Sequence, residues 1–251
     1  MTAPSRRRRF APRGWAVAVA AVGIGGCLAL AQWQLGRARE KEALIAAFDA
    51  GGGEALPLTV SAPAEMPRYQ RVTIAGHYEP GRQLLLDNMP SATGQAGYRV
   101  LTPFRRDDGG PIVMVDRGWL PLGADRSQRP DVSVGGGPRA VTGRLDGLPV
   151  PGLRLGEARA ADSAAGWPLV LNFPVTSDLE AALGEPVEAR IVLLDADQPD
   201  GYERKWRPAL GFPPERHLGY AIQWLALALV VLVAFVATGL QPRNQDTDRP
   251  T

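Results

Sequence analysis

The chain has 251 residues, room for one or two domains, and a formal net charge of only +2. Five of its 28 Lys and Arg residues cluster within the first thirteen residues, where no acid appears, so the cluster reads as a topology signal and argues against a nucleic-acid role. A single cysteine, Cys27, excludes an intramolecular disulfide, a CxxC redox pair and a multi-cysteine metal site, and two histidines exclude a His-rich one.

In chain order, Arg6 to Arg9 and Arg13 precede a run from Gly14 to Gly36 without a charged side chain. A second such run extends from Leu218 to Pro242. Each exceeds the roughly 20 residues needed to cross a hydrocarbon core. The basic start places the N-terminus in the cytoplasm, and a second crossing returns the tail there. Ala29-Leu30-Ala31 has the small-residue form of a signal-peptidase site, and Ile24 to Cys27 loosely resembles a lipoprotein processing site. The apolar run continues through Trp33 and Leu35, however, and charged helix formers follow from Arg37 to Phe48. That pattern favours an uncleaved helix continuing past the membrane. Gly23, Cys27 and Ala31 form a small-residue stripe suited to close helix contact.

Gly51-Gly52-Gly53 ends this helix, and the pattern then turns extended. Arg71–Tyr78, Gln83–Met89, Tyr98–Phe104, Ile112–Arg117, Ala140–Leu145 and Arg190–Leu194 are short apolar-rich runs bounded by turn formers, and are predicted strands. Asp107-Asp108-Gly109-Gly110 reads as a hairpin loop. Ser177 with Glu180 suggests a capping box for a short helix that Gly184 stops. Residues 134–138 and 148–166 are Gly-, Pro- and Ala-rich and read as loops. The predicted fold is a mainly antiparallel-β, α+β, barrel-like soluble domain flanked by two transmembrane helices. Its parts are a basic cytoplasmic N-terminus (1–13), helix one (14–36), the outer-face domain (37–216), helix two (217–240) and a disordered cytoplasmic tail (241–251).

No GxSxG, phosphate loop, GxGxxG or HExxH is present, and no convergent catalytic set is visible, so no enzyme is expected. Asp116-Arg117-Gly118-Trp119 reads as a tight turn at a strand end, where an Asp-Arg pair could bind a carboxylate or a propionate but is more often a structural salt bridge. His77 reads as an ordinary strand residue. His217 stands at the mouth of the second helix. Trp224 lies about 20° from it around the helix and Tyr220 about 60° away, with small Ala228 on the same stripe. This face offers one metal ligand, aromatic walls and room for a flat ligand. The same aromatics also suit a membrane interface.

Four blocks carry a family resemblance. The first is Gln32-Trp33-Gln34-Leu35-Gly36-Arg37, followed by Lys41. The second is Val72 to Tyr78, including Gly76, with Leu84 to Asn88. The third is Gly97 to Phe104, including Pro103, then Val113 to Pro121 with Arg117, Gly118 and Trp119. The fourth is Glu215, His217, Tyr220 and Trp224. Together they resemble the surfeit locus protein 1 family, assembly factors of haem–copper cytochrome c oxidase. The family often has Asn where this chain has Asp116.

The resemblance implies a domain on the outer face of an energy-coupling membrane and a role in building oxidase subunit I when haem a enters. It implies His217 as a haem ligand, consistent with the stripe above, with Tyr220 and Trp224 as walls. Arg204, Lys205, Arg207 or Arg216 would pair the propionates. The alternative is a protein-only chaperone for oxidase subunits and other assembly factors that never touches haem. The short Arg-rich start fits a bacterial inner membrane better than a mitochondrial precursor.

Overall fold

With no proline between Arg13 and Gly51, the charge-free segment, despite its glycines, and the charged helix formers after it make a single helix, α1 (Gly14–Ala50). In the computed structural model, residues 8–59, 65–87, 89–91, 93–123, 125, 128–150, 166–208 and 210–242 are described. A short strand β1 (Arg8–Phe10) precedes α1. After it come β2 (Leu56–Pro57), β3 (Arg71–Tyr78), β4 (Leu84–Leu86), β5 (Gly97–Arg106), β6 (Val113–Pro121) and β7 (Arg139–Gly147). Then follow β8 (Leu169–Leu171), α2 (Thr176–Leu183), β9 (Arg190–Leu194), α3 (Pro214–Gly239) and β10 (Leu240–Pro242). The chain divides into two compact units. One is Met1–Ile45 with Ala209–Thr251, and the other is Ala46–Pro208.

In the second unit, β3, β7, β9, β6 and β5 close into a five-stranded barrel, because β3 pairs with both β7 and β5. All its ladders are antiparallel except β6–β9. The period-two rule for strands explains its two apolar layers. Val113 and Val115 of β6 and Val192 and Leu194 of β9 join Val72, Ile74, Phe104, Val141 and Leu145 in one cluster, to which every barrel strand contributes. The intervening Met114, Ile191 and Leu193 face a second cluster, with Leu84 and Leu86 of β4, Leu169 and Leu171 of β8, and Leu179 and Leu183 of α2. β5, β6 and β9 are therefore apolar on both faces, unlike β3, whose burial alternates.

Gly76 sits at the barrel seam, paired with Arg106 on one side and Arg139 on the other. A Cβ there would strike the Arg105 carbonyl oxygen, so the close strand approach excludes a side chain. Pro103 lies within β5 opposite Met114, and its carbonyl accepts from the Glu79 N–H at 3.0 Å.

Arg71–Tyr78 and Arg190–Leu194 are strands with the expected ends, the other four expected strands are present with shifted ends, and the hairpin loop Asp107–Gly110 joins β5 to β6. The short helix is capped differently from the expected Ser177/Glu180 box. Asp178 accepts from the Val175 N–H at 2.9 Å, while Glu180 accepts from the Val187 N–H. Gly184 closes the helix in a left-handed conformation, as expected. The expected loop at 148–166 and the distal tail fall largely or wholly outside the described residues. Leu240–Pro242 is not loose tail but a strand, antiparallel to β1.

In the first unit, α1 and α3 are both long and apolar enough to cross a membrane. Only 11% of the most apolar window of each is buried, which is unlike a soluble core helix.

Candidate functional site

The two helices run antiparallel. Phe10, just before α1, packs on Phe235 near the end of α3, with ring centroids 5.7 Å apart. Gly23 faces Val231, and Gln34 reaches His217 near the start of α3. The less exposed positions of α3 step by three and four: Pro214, His217, Ala221, Trp224, Ala228, Val231 and Phe235. On α1 they include Ala20, Gly23, Cys27, Ala31, Gln34 and Ala38, with Ile24 and Leu35 beside them. These steps trace one stripe per helix, on which small residues are frequent. The expected stripe Gly23, Cys27, Ala31 is part of it.

Gln34 and His217 are the polar residues buried on this seam, each about 9% exposed. His217 Nδ1 lies 2.8 Å from Gln34 Oε1. An amide oxygen can only accept, so this contact is a hydrogen bond when the imidazole is in its Nδ1–H form. The lone pair then belongs to Nε2, the nitrogen free for a further interaction. Phe212 meets the His217 ring edge-on at 6.4 Å, and the Arg216 guanidinium lies 5.2 Å from the Phe212 ring. Trp224 and Ala228 share the seam with His217. Tyr220 stands at the flank of that face and is 48% exposed, so the three residues do not form a single wall. Trp33, beside Gln34 in sequence, is exposed. No group of three or more His, Cys, Asp or Glu side chains converges among the described residues. The donor set thus suits a metal carried on one imidazole, not a multi-ligand site.

Of the cations expected to meet propionates, only Arg216 belongs to the helical unit. Arg204 is committed to the carbonyls of Asp195, Gln198 and Tyr202, and Lys205 pairs with Glu203 at 3.0 Å. Arg207 is exposed on the β unit.

The second candidate region, Asp116 to Trp119, is not a turn. It lies inside β6, and the Trp119 N–H donates to Glu203 O at 2.8 Å while the Glu203 N–H donates back at 3.1 Å. Asp116 and Arg117 do not pair with each other, because adjacent residues of a strand point to opposite faces. Asp116 is fully buried, pairs with Arg99, and accepts from the Gly118 N–H at 3.0 Å. Burial raises its pKa above the ordinary carboxyl value, and the Arg99 charge only partly offsets this. Arg117 donates to the carbonyls of Asp200 (2.7 Å) and Val132 (2.8 Å) and lies 5.2 Å from the Tyr202 ring. Gly118 has φ +113°, and a Cβ there would come within 2.8 Å of Arg204 Cγ and Glu203 O. Trp119 Nε1 donates to Met89 O at 2.7 Å. Arg117, Gly118 and Trp119 fasten the irregular segment 200–204, bridged to β6 at Glu203, onto the barrel. His77 lies in β3 opposite Arg105, half-buried.

Residues 21–229 match the model of the SURF1 family. The chain belongs to the SURF1 family. It is 26% identical over 233 residues to a SURF1-like protein of Monosiga brevicollis, covering 82% of this chain and 81% of that protein. It is 30% identical over 223 residues to a SURF1-like protein of Mycobacterium tuberculosis, covering 80% and 73%. A shorter match, 34% over 95 residues, is to the cytochrome oxidase assembly protein SHY1 of Saccharomyces cerevisiae, and covers 36% of this chain and 24% of that protein. The family is the one that the four residue blocks resemble.

Sequence reasoning missed two partnerships. Gln34 was read as a motif residue, not as the partner of His217. The signal was there: a glutamine in a charge-free apolar helix needs a polar partner, and His217 opens the other such helix. Arg99 as the partner of Asp116 had no local signal, since the two meet only across β5 and β6.

Proposed function

We propose that this SURF1-family member is a membrane-anchored assembly factor for cytochrome c oxidase that holds haem a at His217 and passes it toward subunit I. Family membership and the SHY1 relative support the oxidase role. The observation that carries the haem reading is the His217–Gln34 hydrogen bond, which leaves Nε2 as the ligating nitrogen. Metal-binding histidines characteristically donate their other N–H to an oxygen acceptor. Haem a is cargo in this scheme, bound through one axial imidazole and with the opposite face left open. A single ligand is consistent with release. Trp224 and the exposed Tyr220 and Phe212 supply aromatic surface near the ring, and Arg216 supplies a positive charge for a propionate.

In this reading α1 and α3 cross the bacterial inner membrane, both termini are cytoplasmic, and the β domain is periplasmic. The excess of arginine before α1 supports that orientation. The protein acts as a carrier and not as an enzyme. The test is the absorbance of protein purified in mild detergent from cells that make haem a, beside His217→Ala. A reduced haem a spectrum that the variant lacks is expected. A colourless wild type in cells whose oxidase assembly still depends on it would favour a protein-only chaperone.

A further inference from the structure

The Gln34–His217 pair has a feature that helix packing alone does not require. Seams of this kind are closed by small and apolar residues, and the rest of this one is: Ala20, Ala31 and Ala38 on α1, Ala221 and Ala228 on α3. Two polar side chains interrupt it, both buried and joined by one 2.8 Å contact. The contact is oriented, with the carbonyl end of the amide toward Nδ1. The reverse amide orientation would place an N–H donor against Nδ1, force the proton onto Nε2 and remove its lone pair.

We infer that Gln34 is a positioning residue that holds His217 in the Nδ1–H tautomer, so that Nε2 presents its lone pair to the iron of a haem. Neutral imidazole in water divides its proton between the two nitrogens, and a fixed acceptor on one side removes that choice. The low dielectric of a helix interface makes the preference stronger, since an unmet amide oxygen or ring N–H there has no water to fall back on. Gln34 lies on the long helix α1 and His217 in the first turn of α3, so the bond also fixes the rotation of the ring. The inference rests on the haem reading of His217, but its first test does not need haem.

The chain contains only two histidines, so 15N-histidine labelling of the full protein in detergent gives two ring spin systems, assigned with His217→Ala. At about pH 8, where an ordinary imidazole is neutral, His217 should show the two-bond coupling pattern of the Nδ1–H tautomer. Gln34→Leu should convert it to a mixture or to Nε2–H, with His77 unchanged as a reference for the fold. A wild-type Nε2–H pattern overturns the inference, and so does an unaltered Nδ1–H pattern in Gln34→Leu. If Gln34→Leu does not fold, the wild-type pattern alone still decides the first point.

Titration with haem a then separates this inference from the reading beneath it. Loss of a ligand's outer partner typically costs 10–100-fold in metal affinity, so Gln34→Leu should bind haem a 10–100-fold more weakly, and Gln34→Glu, which keeps an acceptor, should restore binding. Equal affinity in wild type and Gln34→Leu overturns the positioning role while His217 remains the ligand. Wild type that binds no haem, yet shows the Nδ1–H tautomer only when Gln34 is present, overturns the haem reading and with it the iron part of the inference. It leaves Gln34's hold on the ring standing.

Discussion

The helical unit and the β unit each bury a polar grouping, and the two are built on opposite plans. In the β unit Arg117 has two backbone carbonyl partners and an aromatic neighbour, and Asp116 has both a cation and a backbone N–H. In the helical unit Gln34 and His217 have each other. Many partners, mostly backbone, mark side chains that hold segments of chain together. A single side-chain partner with one ring nitrogen left over marks a group held ready for something else. Sequence reading gave the two sites different roles, a structural pair at Asp116–Arg117 and a ligand at His217, but not the partners that distinguish them.

The largest effect that would test this contrast is Arg117→Ala. It leaves the Asp200 and Val132 carbonyls without their donor, and at about 1–3 kcal/mol for each acceptor left unpaired the cost is about 2–6 kcal/mol. For a domain of this size that is roughly 10 °C in Tm, read by the thermal melt of the β unit. Arg117→Lys should recover little, because an ammonium cannot serve both carbonyls with the reach of a guanidinium. A loss below about 1 kcal/mol would remove Arg117 from the structural side of the comparison.

Gly118→Ala comes next. It places a side chain at φ +113° and against the Glu203 carbonyl, at a cost of about 1–3 kcal/mol. The expected result is a lower melt for the β unit with segment 200–204 loosened first in hydrogen exchange. In the other unit, Gly23→Leu overfills the approach to Val231, for which about 1–3 kcal/mol is typical. It should perturb the His217 ring resonances and leave the melt of the β unit alone. A variant in either unit that moved the readout of the other equally would break the comparison.

Much of this architecture was legible because it is written in local patterns. Charge-free runs located α1 and α3, and apolar runs between turn formers located β3, β5, β6, β7 and β9. β2 and β8 were missed because two- and three-residue strands carry no period. β1 and β10 were missed because they take their pairing from each other, some 230 residues apart in sequence. Closure of the barrel was anticipated only in outline. It depends on β3 pairing on two edges at Gly76, where the sequence offers just one glycine within a strand. At the site, His217 and its angular relation to Trp224 and Ala228 were readable from helical geometry. The exposure of Tyr220 was not, because it depends on where α1 lies. The Asp116–Arg99 and Gln34–His217 pairs are tertiary facts of the same kind.

The smallest expected effect is the most discriminating for Asp116. The amide oxygen of an Asn could accept from the Gly118 N–H as the carboxylate does. What Asp116→Asn removes is a titration. Burial raises the folded-state pKa of Asp116, so the native state keeps this proton to a higher pH than the unfolded chain does. Stability must therefore fall as pH rises from the ordinary carboxyl value, about 3.9, up to the raised one, and the loss is complete above it. Asp116→Asn should abolish that slope. The unpaired Arg99 is partly exposed and rests 5.1 Å from the Trp206 ring, so losing its partner should cost no more than about 1 kcal/mol. Urea melts of wild type and variant across this pH range would then converge at the acid end and separate in the variant's favour above it. If wild type instead gains on the variant as pH rises, the attraction of Arg99 outweighs the burial of the carboxylate. Asp116 would then be held as an ion pair and not as a desolvated acid kept in place by its backbone contact.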